Sequence, residues 1–283
     1  MEIKTISVIG AGTMGNGIAH VFAMKNFKVN LVETSNELLD KALLTISKNL
    51  DRQINKGSIS EKEKTETLHN INTIVGVENI PIESDLVIEA IYENKETKLN
   101  IFNKIQNIVK LDSIFASNTS SISITELSVS NRPDRFIGMH FMNPVPVMQL
   151  VEIIRGYSTS DETFQTIKNL SEKLGKIPVE VFDYPGFISN RILMPMINEA
   201  IFALMEGVAS KEDIDTVMKL GMNHPMGPLT LADFIGLDVC LAIMEVLYNG
   251  FNDPKYRPCP LLKKMVAAKK LGRKSGEGFY KYL

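Results

Sequence analysis

The sequence predicts an α/β fold: a doubly wound, mostly parallel sheet in the N-terminal part, followed by an all-helical C-terminal domain. Three observations point there. The opening apolar run 6–9 feeds into Gly10-Ala11-Gly12-Thr13-Met14-Gly15 and then into helix-forming sequence, the order of a strand, a tight glycine turn and a helix. As far as Phe182, short β-branched runs alternate with helical stretches, and their near-continuous hydrophobicity suits a parallel sheet covered on both faces. Beyond Gly186 the strand signal ends and long apolar helical segments take over.

In order along the chain, strands are expected at 5–9, 28–32, 86–89, 113–116, 136–140, 150–154 and 178–182, with a first helix at 16–26. The helical stretch 35–68 exceeds what a simple crossover requires; it either carries substrate contacts or is a plain helical hairpin. Asp183-Tyr184-Pro185-Gly186 is the strongest punctuation in the chain, which places a domain boundary between 1–184 and 185–283. The second domain opens with an almost wholly apolar helix, 188–206, interrupted by Pro195. Ser210-Lys211-Glu212-Asp213 reads as a capped helix start, and 228–247 and 260–271 supply further helices. A helix apolar on most faces must be buried. So short a domain has little interior for it, and a homodimer formed through this part is expected.

Composition narrows the function classes. Apolar residues make up 44% and charged residues 23%, as in an ordinary globular protein. A net charge of -2 leaves no footprint for nucleic acid, and runs such as Glu61-Lys62-Glu63-Lys64 fit a solvated helix face. The two cysteines, Cys240 and Cys259, lack metal-ligand spacing, so no metal site is expected and the thiols suit a reducing compartment. There is no basic segment followed by an apolar leader at the N-terminus, and no apolar run reaches membrane-spanning length; a cytoplasmic protein away from the membrane is expected.

The glycine motif states a chemistry. Gly10 would make the tight turn, Gly12 would let the backbone approach a diphosphate, and Gly15 would let helix and strand pack closely. The helix starting near Thr13 would point its positive end at the anion. Three glycines at this spacing also fit an ordinary turn, but a second apolar run, 29–32, ends in Glu33, 23 residues beyond Gly10. An acid at that distance accepts hydrogen bonds from ribose hydroxyls and repels a 2′-phosphate, which favours NAD over NADP. The alternative is a solvated glutamate opening a loop.

Only four histidines compete for an acid–base role. His20 lies inside the first helix, His69 among polar residues and His224 in a turn. His140 ends an apolar strand and opens the proline-rich loop Asn143-Pro144-Val145-Pro146. In open α/β sheets ligands collect beyond the carboxyl ends of strands, and a histidine there, with an unperturbed pKa of ~6.5, can act as a general base. The competing reading is a buried structural histidine. Glu152 is an acid within the apolar strand 150–154; an unpaired buried carboxylate is costly, and His140 is a natural partner, unless the strand turns Glu152 to water. Ser117-Asn118-Thr119-Ser120-Ser121 follows another strand and could bind a substrate oxygen and the nicotinamide ribose, or simply cap a helix. Asn190 places a polar group at the start of the apolar helix.

These segments together closely resemble the L-3-hydroxyacyl-CoA dehydrogenases. The resemblance rests on GAGTMG (10–15), DLVIEAIYEN (85–94), FASNTSS (115–121), GMHFMNPVPVM (138–148), PGFISNR (185–191), MGPL (226–229) and GRKSGEGFY (272–280), which span essentially the whole chain. The short single-function form and DPKYRP (253–258) look most like the bacterial members that act on 3-hydroxybutyryl-CoA. The resemblance implies NAD as cofactor and a short-chain 3-hydroxyacyl-CoA, with acetoacetyl-CoA as its oxidised form, as substrate, in butyrate or fatty-acid metabolism. It implies that His140 removes the 3-hydroxyl proton, that Glu152 orients the imidazole, that Ser120 (and not Ser117) bonds the reacting oxygen, and that Asn190 holds the thioester end. The implied cofactor positions are Gly10, Ala11, Gly12, Thr13, Met14, Gly15, Glu33, Glu93, Lys98, Asn118, Asn143 and Lys274. Lys56 matches a lysine that meets the CoA phosphates in a more variable region. Two rivals keep the fold and change the function: oxidation of a free hydroxy acid such as a sugar acid, and a catalytically idle NAD-binding protein.

Overall fold

The computed structural model describes residues 2–129 and 132–282. The chain divides into two compact units, 1–183 and 184–283. The first contains, in chain order, β1 (Thr5–Ile9), α1 (Thr13–Met24), β2 (Lys28–Glu33), α2 (Asn36–Asn55), α3 (Glu61–His69), β3 (Ile71–Val75), β4 (Leu86–Glu89), α4 (Lys95–Ile105), β5 (Ile114–Ser117), α5 (Ile124–Ser128), β6 (Phe136–Phe141), β7 (Leu150–Arg155), α6 (Asp161–Lys173) and β8 (Ile177–Phe182). The strands form one sheet in the order β3-β2-β1-β4-β5-β6-β7-β8. Neighbours run parallel except β6 and β7, which are antiparallel. The expected fold class is the observed one.

The strands β1, β4, β5 and β6 are buried along almost their whole length, as strands covered on both faces must be. On one face α1 and α2 press Ile18, Phe22, Leu39 and Ile46 against Val8, Leu31 and Ile88. Elsewhere in the unit, Phe102 of α4 stacks edge-on against Phe136, ring centres 4.6 Å apart. The chain lays down β1, β2 and β3 outward and then returns to place β4 on the other side of β1, which opens the crevice of a topological switch point at the carboxyl ends of those strands.

Two elements differ from the sequence reading. The strand β3 was not expected: Ile71–Val75 is a half-exposed edge strand with no fully buried position, so it lacks the continuous apolar run of its neighbours. The stretch 35–68 is two helices, each with its own serine cap. The Ser35 side chain accepts from the Leu38 amide, and Ser60 with Glu63 forms a complete capping box. Gly57, at φ +69, breaks the helix between them.

The second unit contains α7 (Ser189–Met205), α8 (Lys211–Gly221), α9 (Pro228–Ile235), α10 (Leu237–Phe251) and α11 (Pro260–Ala267). Pro195 lies inside α7. Gly236, at φ +104, splits the expected helix at 228–247 into α9 and α10. Ile197, Ile201, Leu229, Leu237, Met244 and Leu262 belong to its core, together with the buried, unpaired Cys240 and Cys259. None of the described helices is long and apolar enough to cross a membrane.

Asp233, 1% exposed, ties the C-terminal segment to this unit by accepting from the Phe279 amide (2.9 Å), the Tyr280 amide (2.9 Å) and the Tyr282 hydroxyl (3.0 Å). Asp233→Ala strands two backbone donors and a phenol, and hydrogen bonds to a charged group contribute about 1.5–3 kcal/mol each on average. The substitution is expected to lower unfolding free energy in urea by about 3 kcal/mol; a loss under about 0.5 kcal/mol would mean that water replaces the carboxylate.

Candidate active site

Because β1, β2, β4, β5 and β6 are parallel, their carboxyl ends lie along one edge. The register there pairs Ile9 with Val32, Ile9 with Glu89, Glu89 with Ser117, and Ser117 with Gly138. The glycine turn, Glu33, Glu89, Ser117 to Ser121 and His140 therefore all come from one rim.

At the glycine turn the backbone is held tightly. Gly10 has φ +100 and its N–H donates to the Val32 carbonyl at 2.9 Å; a Cβ there would sit 2.7 Å from the Ala90 oxygen. A Cβ on Gly15 would collide with the Gly10 carbonyl, whereas one on Gly12 would meet nothing within 4 Å. Gly12 is also the N-cap of α1 and offers no side-chain cap to its first turn, leaving that end suited to an anion. Glu33 reaches back to this turn: Oε2 accepts from the Ala11 amide (2.9 Å) and Oε1 from the Thr34 amide (2.7 Å). A groove of about 440 Å³ runs past Ala11, Gly12, Thr13 and Glu33, with the Asn143–Pro146 stretch and the Leu38, Lys41, Thr45 and Asn49 side of α2 as its walls. Met14 packs instead against the core. The open cradle at Gly12, the uncapped helix end and the acid fit a dinucleotide diphosphate and its ribose.

Further along the rim, His140 and Glu152 face each other directly across the antiparallel β6–β7 pair. Directly opposed residues share a face of the sheet. The His140 Nδ1 and Glu152 Oε2 are 2.8 Å apart, with the residues 9% and 2% exposed. An ionised carboxylate only accepts, so with Glu152 ionised the hydrogen of this bond sits on the His140 Nδ1. His20, by contrast, is fully buried in α1 with neither ring nitrogen hydrogen-bonded; burial first, and then the charge of Lys176, push its pKa down to about 4.

Between these two features lies a charged network. Lys98, on α4 and 1% exposed, donates to Glu89 Oε1 at 2.6 Å and pairs with Glu93 Oε2 at 3.3 Å. Glu89 also accepts from the Ser117 hydroxyl (2.6 Å) and the Ile91 amide (2.7 Å). Glu93 Oε1 gathers the loop after β5: the Thr119 hydroxyl (2.5 Å), the Ser120 amide (3.0 Å) and hydroxyl (3.3 Å), and the Ser121 amide (3.1 Å). Burial lifts the Glu89 carboxyl above the usual range despite the Lys98 charge. Burial works the same way on Glu93, but there the Lys98 charge and the Thr119 and Ser120 bonds prevail and hold it below that range. Asn118 joins β5 to β6, its Oδ1 accepting from the Phe141 amide at 3.0 Å.

Of the residues singled out from sequence, Ala11, Gly12, Thr13, Glu33 and Asn143 share the groove, while Glu93, Lys98, Asn118 and Ser120 share the network and His140 pairs with Glu152. Lys56 is the exposed C-cap of α2, outside the groove lining. The second unit carries Asn190, buried in the first turn of α7, and Lys274, whose Nζ pairs with Asp238 at 2.5 Å. Sequence reasoning passed over Glu89, although an acid ending the apolar strand 86–89 is the same signal that drew attention to Glu152. Ser117, set aside from the substrate role, is the fully buried partner of Glu89.

Comparison with known proteins gives a consistent picture. Residues 5–184 match the model of the NAD binding domain of 3-hydroxyacyl-CoA dehydrogenase, and residues 186–282 match that of its C-terminal domain. A probable 3-hydroxybutyryl-CoA dehydrogenase of Deinococcus radiodurans is 58% identical over 276 residues, 97% of this chain and 99% of that protein. The 3-hydroxybutyryl-CoA dehydrogenase of Bradyrhizobium diazoefficiens is 54% identical over 281 residues, 99% of this chain and 96% of that protein. The crystal structure of (S)-3-hydroxybutyryl-CoA dehydrogenase PaaH1 from Ralstonia eutropha superposes with a TM-score of 0.97 at 52% identity, covering all of both chains.

The buried pair at the centre of the network generates a stability prediction. Glu89→Ala leaves the Lys98 ammonium with Glu93 alone, and removing one partner of a buried ion pair costs about 3–5 kcal/mol. Urea denaturation of the variant checks this; a loss below about 1 kcal/mol would mean that Glu89 contributes no more than a surface pair does.

Proposed function

The chain belongs to the 3-hydroxyacyl-CoA dehydrogenase family and uses NAD, and from that premise we propose that it interconverts (3S)-3-hydroxybutyryl-CoA and acetoacetyl-CoA with His140 as the proton-transferring group. The observation that supports this most is the 2.8 Å bond between His140 and Glu152 at the sheet edge that also forms the glycine groove. The two relatives named 3-hydroxybutyryl-CoA dehydrogenase, at 58% and 54% identity, support the substrate.

In this reading Glu152 holds the ring so that Nε2 accepts the proton of the 3-hydroxyl, and its carboxylate balances the imidazolium that forms. NAD, when bound, supplies the acceptor for the hydride leaving C3, and NADH the donor in reverse. In the reductive direction the imidazolium returns its proton to the 3-oxygen. The Ser120 hydroxyl bonds that oxygen, on a loop that Glu93 fixes at five donors. Asn190 holds the thioester end and Lys56 meets the CoA phosphates. Glu33 takes the adenosine ribose, and the glycine loop with Glu93, Lys98, Asn118, Asn143 and Lys274 completes the cofactor contacts. The reading also includes a cytoplasmic homodimer formed through the second unit, supported by the exposed apolar side chains Ile192, Val208, Leu220 and Met222; light scattering at twice the 31.6 kDa chain mass is the expected result.

The direct test follows NADH absorbance with acetoacetyl-CoA, alongside free acetoacetate and NADPH as controls. Rapid oxidation is expected only with the thioester and NADH; turnover of the free acid would move the substrate to a hydroxy acid. His140→Ala is expected to lose about 10²–10⁴-fold in kcat, the usual range for a general acid–base group, while still binding NADH. Glu152→Gln is expected to lower kcat as well, because a neutral amide stabilises imidazolium poorly. A His140→Ala enzyme within a few-fold of wild type would remove the base assignment.

A further inference from the structure

The loop that joins β6 to β7 forms one wall of the cofactor groove with Asn143, Pro144, Val145 and Pro146. Within the loop, the Val147 and Met148 amides both turn onto the Pro144 carbonyl at 3.0 Å. The carbonyls of Val145 and Met148 are taken by a residue from elsewhere: Lys176, just before β8, donates from Nζ to Val145 O at 2.5 Å and to Met148 O at 2.7 Å. Lys176 is 8% exposed, and burial holds its ammonium below the usual lysine range. A buried lysine ordinarily has a carboxylate partner. Here the ammonium donates to two carbonyls of one loop. On its other side the loop rests on α1: Val145 is 2% exposed, and a Cβ on Gly17 would lie 2.9 Å from the Val145 Cβ.

We propose that Lys176 is a positioning residue for the cofactor: it clamps the β6–β7 loop against α1, so that Asn143 and the Pro144–Pro146 wall stand at the groove where the dinucleotide binds. This rests on the dehydrogenase reading above for its occupant, and it assigns a function to a side chain outside the lining of the groove. The loop begins two residues after His140, so the clamp also separates two tasks. Holding the imidazole falls to Glu152, and holding the wall falls to Lys176.

The test compares wild type with K176M, K176R and G17A. Dissociation of NADH is read from nicotinamide fluorescence without substrate, and KM and kcat from acetoacetyl-CoA reduction. K176M is expected to weaken NADH about tenfold, the scale of one lost hydrogen bond to a charged group. The KM for acetoacetyl-CoA and kcat at saturating NADH should stay within about threefold, because only cofactor binding is disturbed. K176R keeps a charged, forked donor and should recover most of the affinity. G17A, at the groove lining, presses on Val145 of the same loop from α1 and should likewise weaken NADH. The K176M/G17A double variant should fall short of the product of the two, since both act through one segment. If K176M does not fold, G17A and K176R carry the comparison. Wild-type NADH affinity in K176M and G17A would overturn the proposal, as would an equal loss in every kinetic parameter that K176R does not restore. A wild-type protein that binds NADH but reduces no acetoacetyl-CoA would sink the proposed reaction and leave this clamp intact.

Discussion

An apolar sheet covered on both faces has no water with which to solvate a carboxylate, yet this sheet buries two, Glu89 at 0% and Glu152 at 2% exposure. Each must be met by a hydrogen-bonding partner placed by the fold itself. For Glu152 the partner comes from strand register. Since β7 runs against β6, its early residues lie beside the carboxyl end of β6, and Glu152 falls directly opposite His140 on the same face. A slip of one residue would turn Glu152 to the other side of the sheet and break its bond to His140. The packing of β7 and the pairing of His140 with Glu152 are therefore one constraint.

The second buried acid is met from a helix. Lys98 projects from α4 between Glu89 and Glu93, so that one ammonium serves two carboxylates. The two respond differently because one is fully buried and the other stands partly in water at 36% exposure. Glu89 is pushed toward the neutral form and Glu93 away from it. An ionised Glu93 is the better acceptor, and its Oε1 is where the Thr119, Ser120 and Ser121 donors converge. A loop held at several points loses little freedom when it binds a ligand.

What the sequence disclosed follows from how each feature is encoded. The strands of the rim were legible because burial on both faces writes an unbroken apolar run, and the glycine turn because only glycine tolerates the approach of Ala90 to Gly10. His140 and Glu152 stood out as polar groups in such runs. The edge strand β3 was lost because exposure erases that pattern. The break at Gly236 was lost because a glycine within a helical pattern is often tolerated. Lys176 could not be found at all: a lysine before a strand reads as a surface residue, and only the fold brings the Val145 and Met148 carbonyls to it. Long-range partners of this kind leave no local trace.

Glu33 shows how binding preference and loop shape can be joined in one side chain. Its carboxylate does not simply stand at the end of β2; Oε2 takes the Ala11 N–H inside the glycine turn, and the reach of a glutamate spans that gap. The acid that would receive ribose hydroxyls, and repel a 2′-phosphate, thereby also fixes the turn that must accept the diphosphate. A change of Glu33 to a small neutral residue would remove the repulsion and release the Ala11 amide together. In the proposed reading, admitting NADP at this groove would require a new acceptor for that amide as well as a new cation for the phosphate, so the choice of NAD would not be a matter of one charge alone.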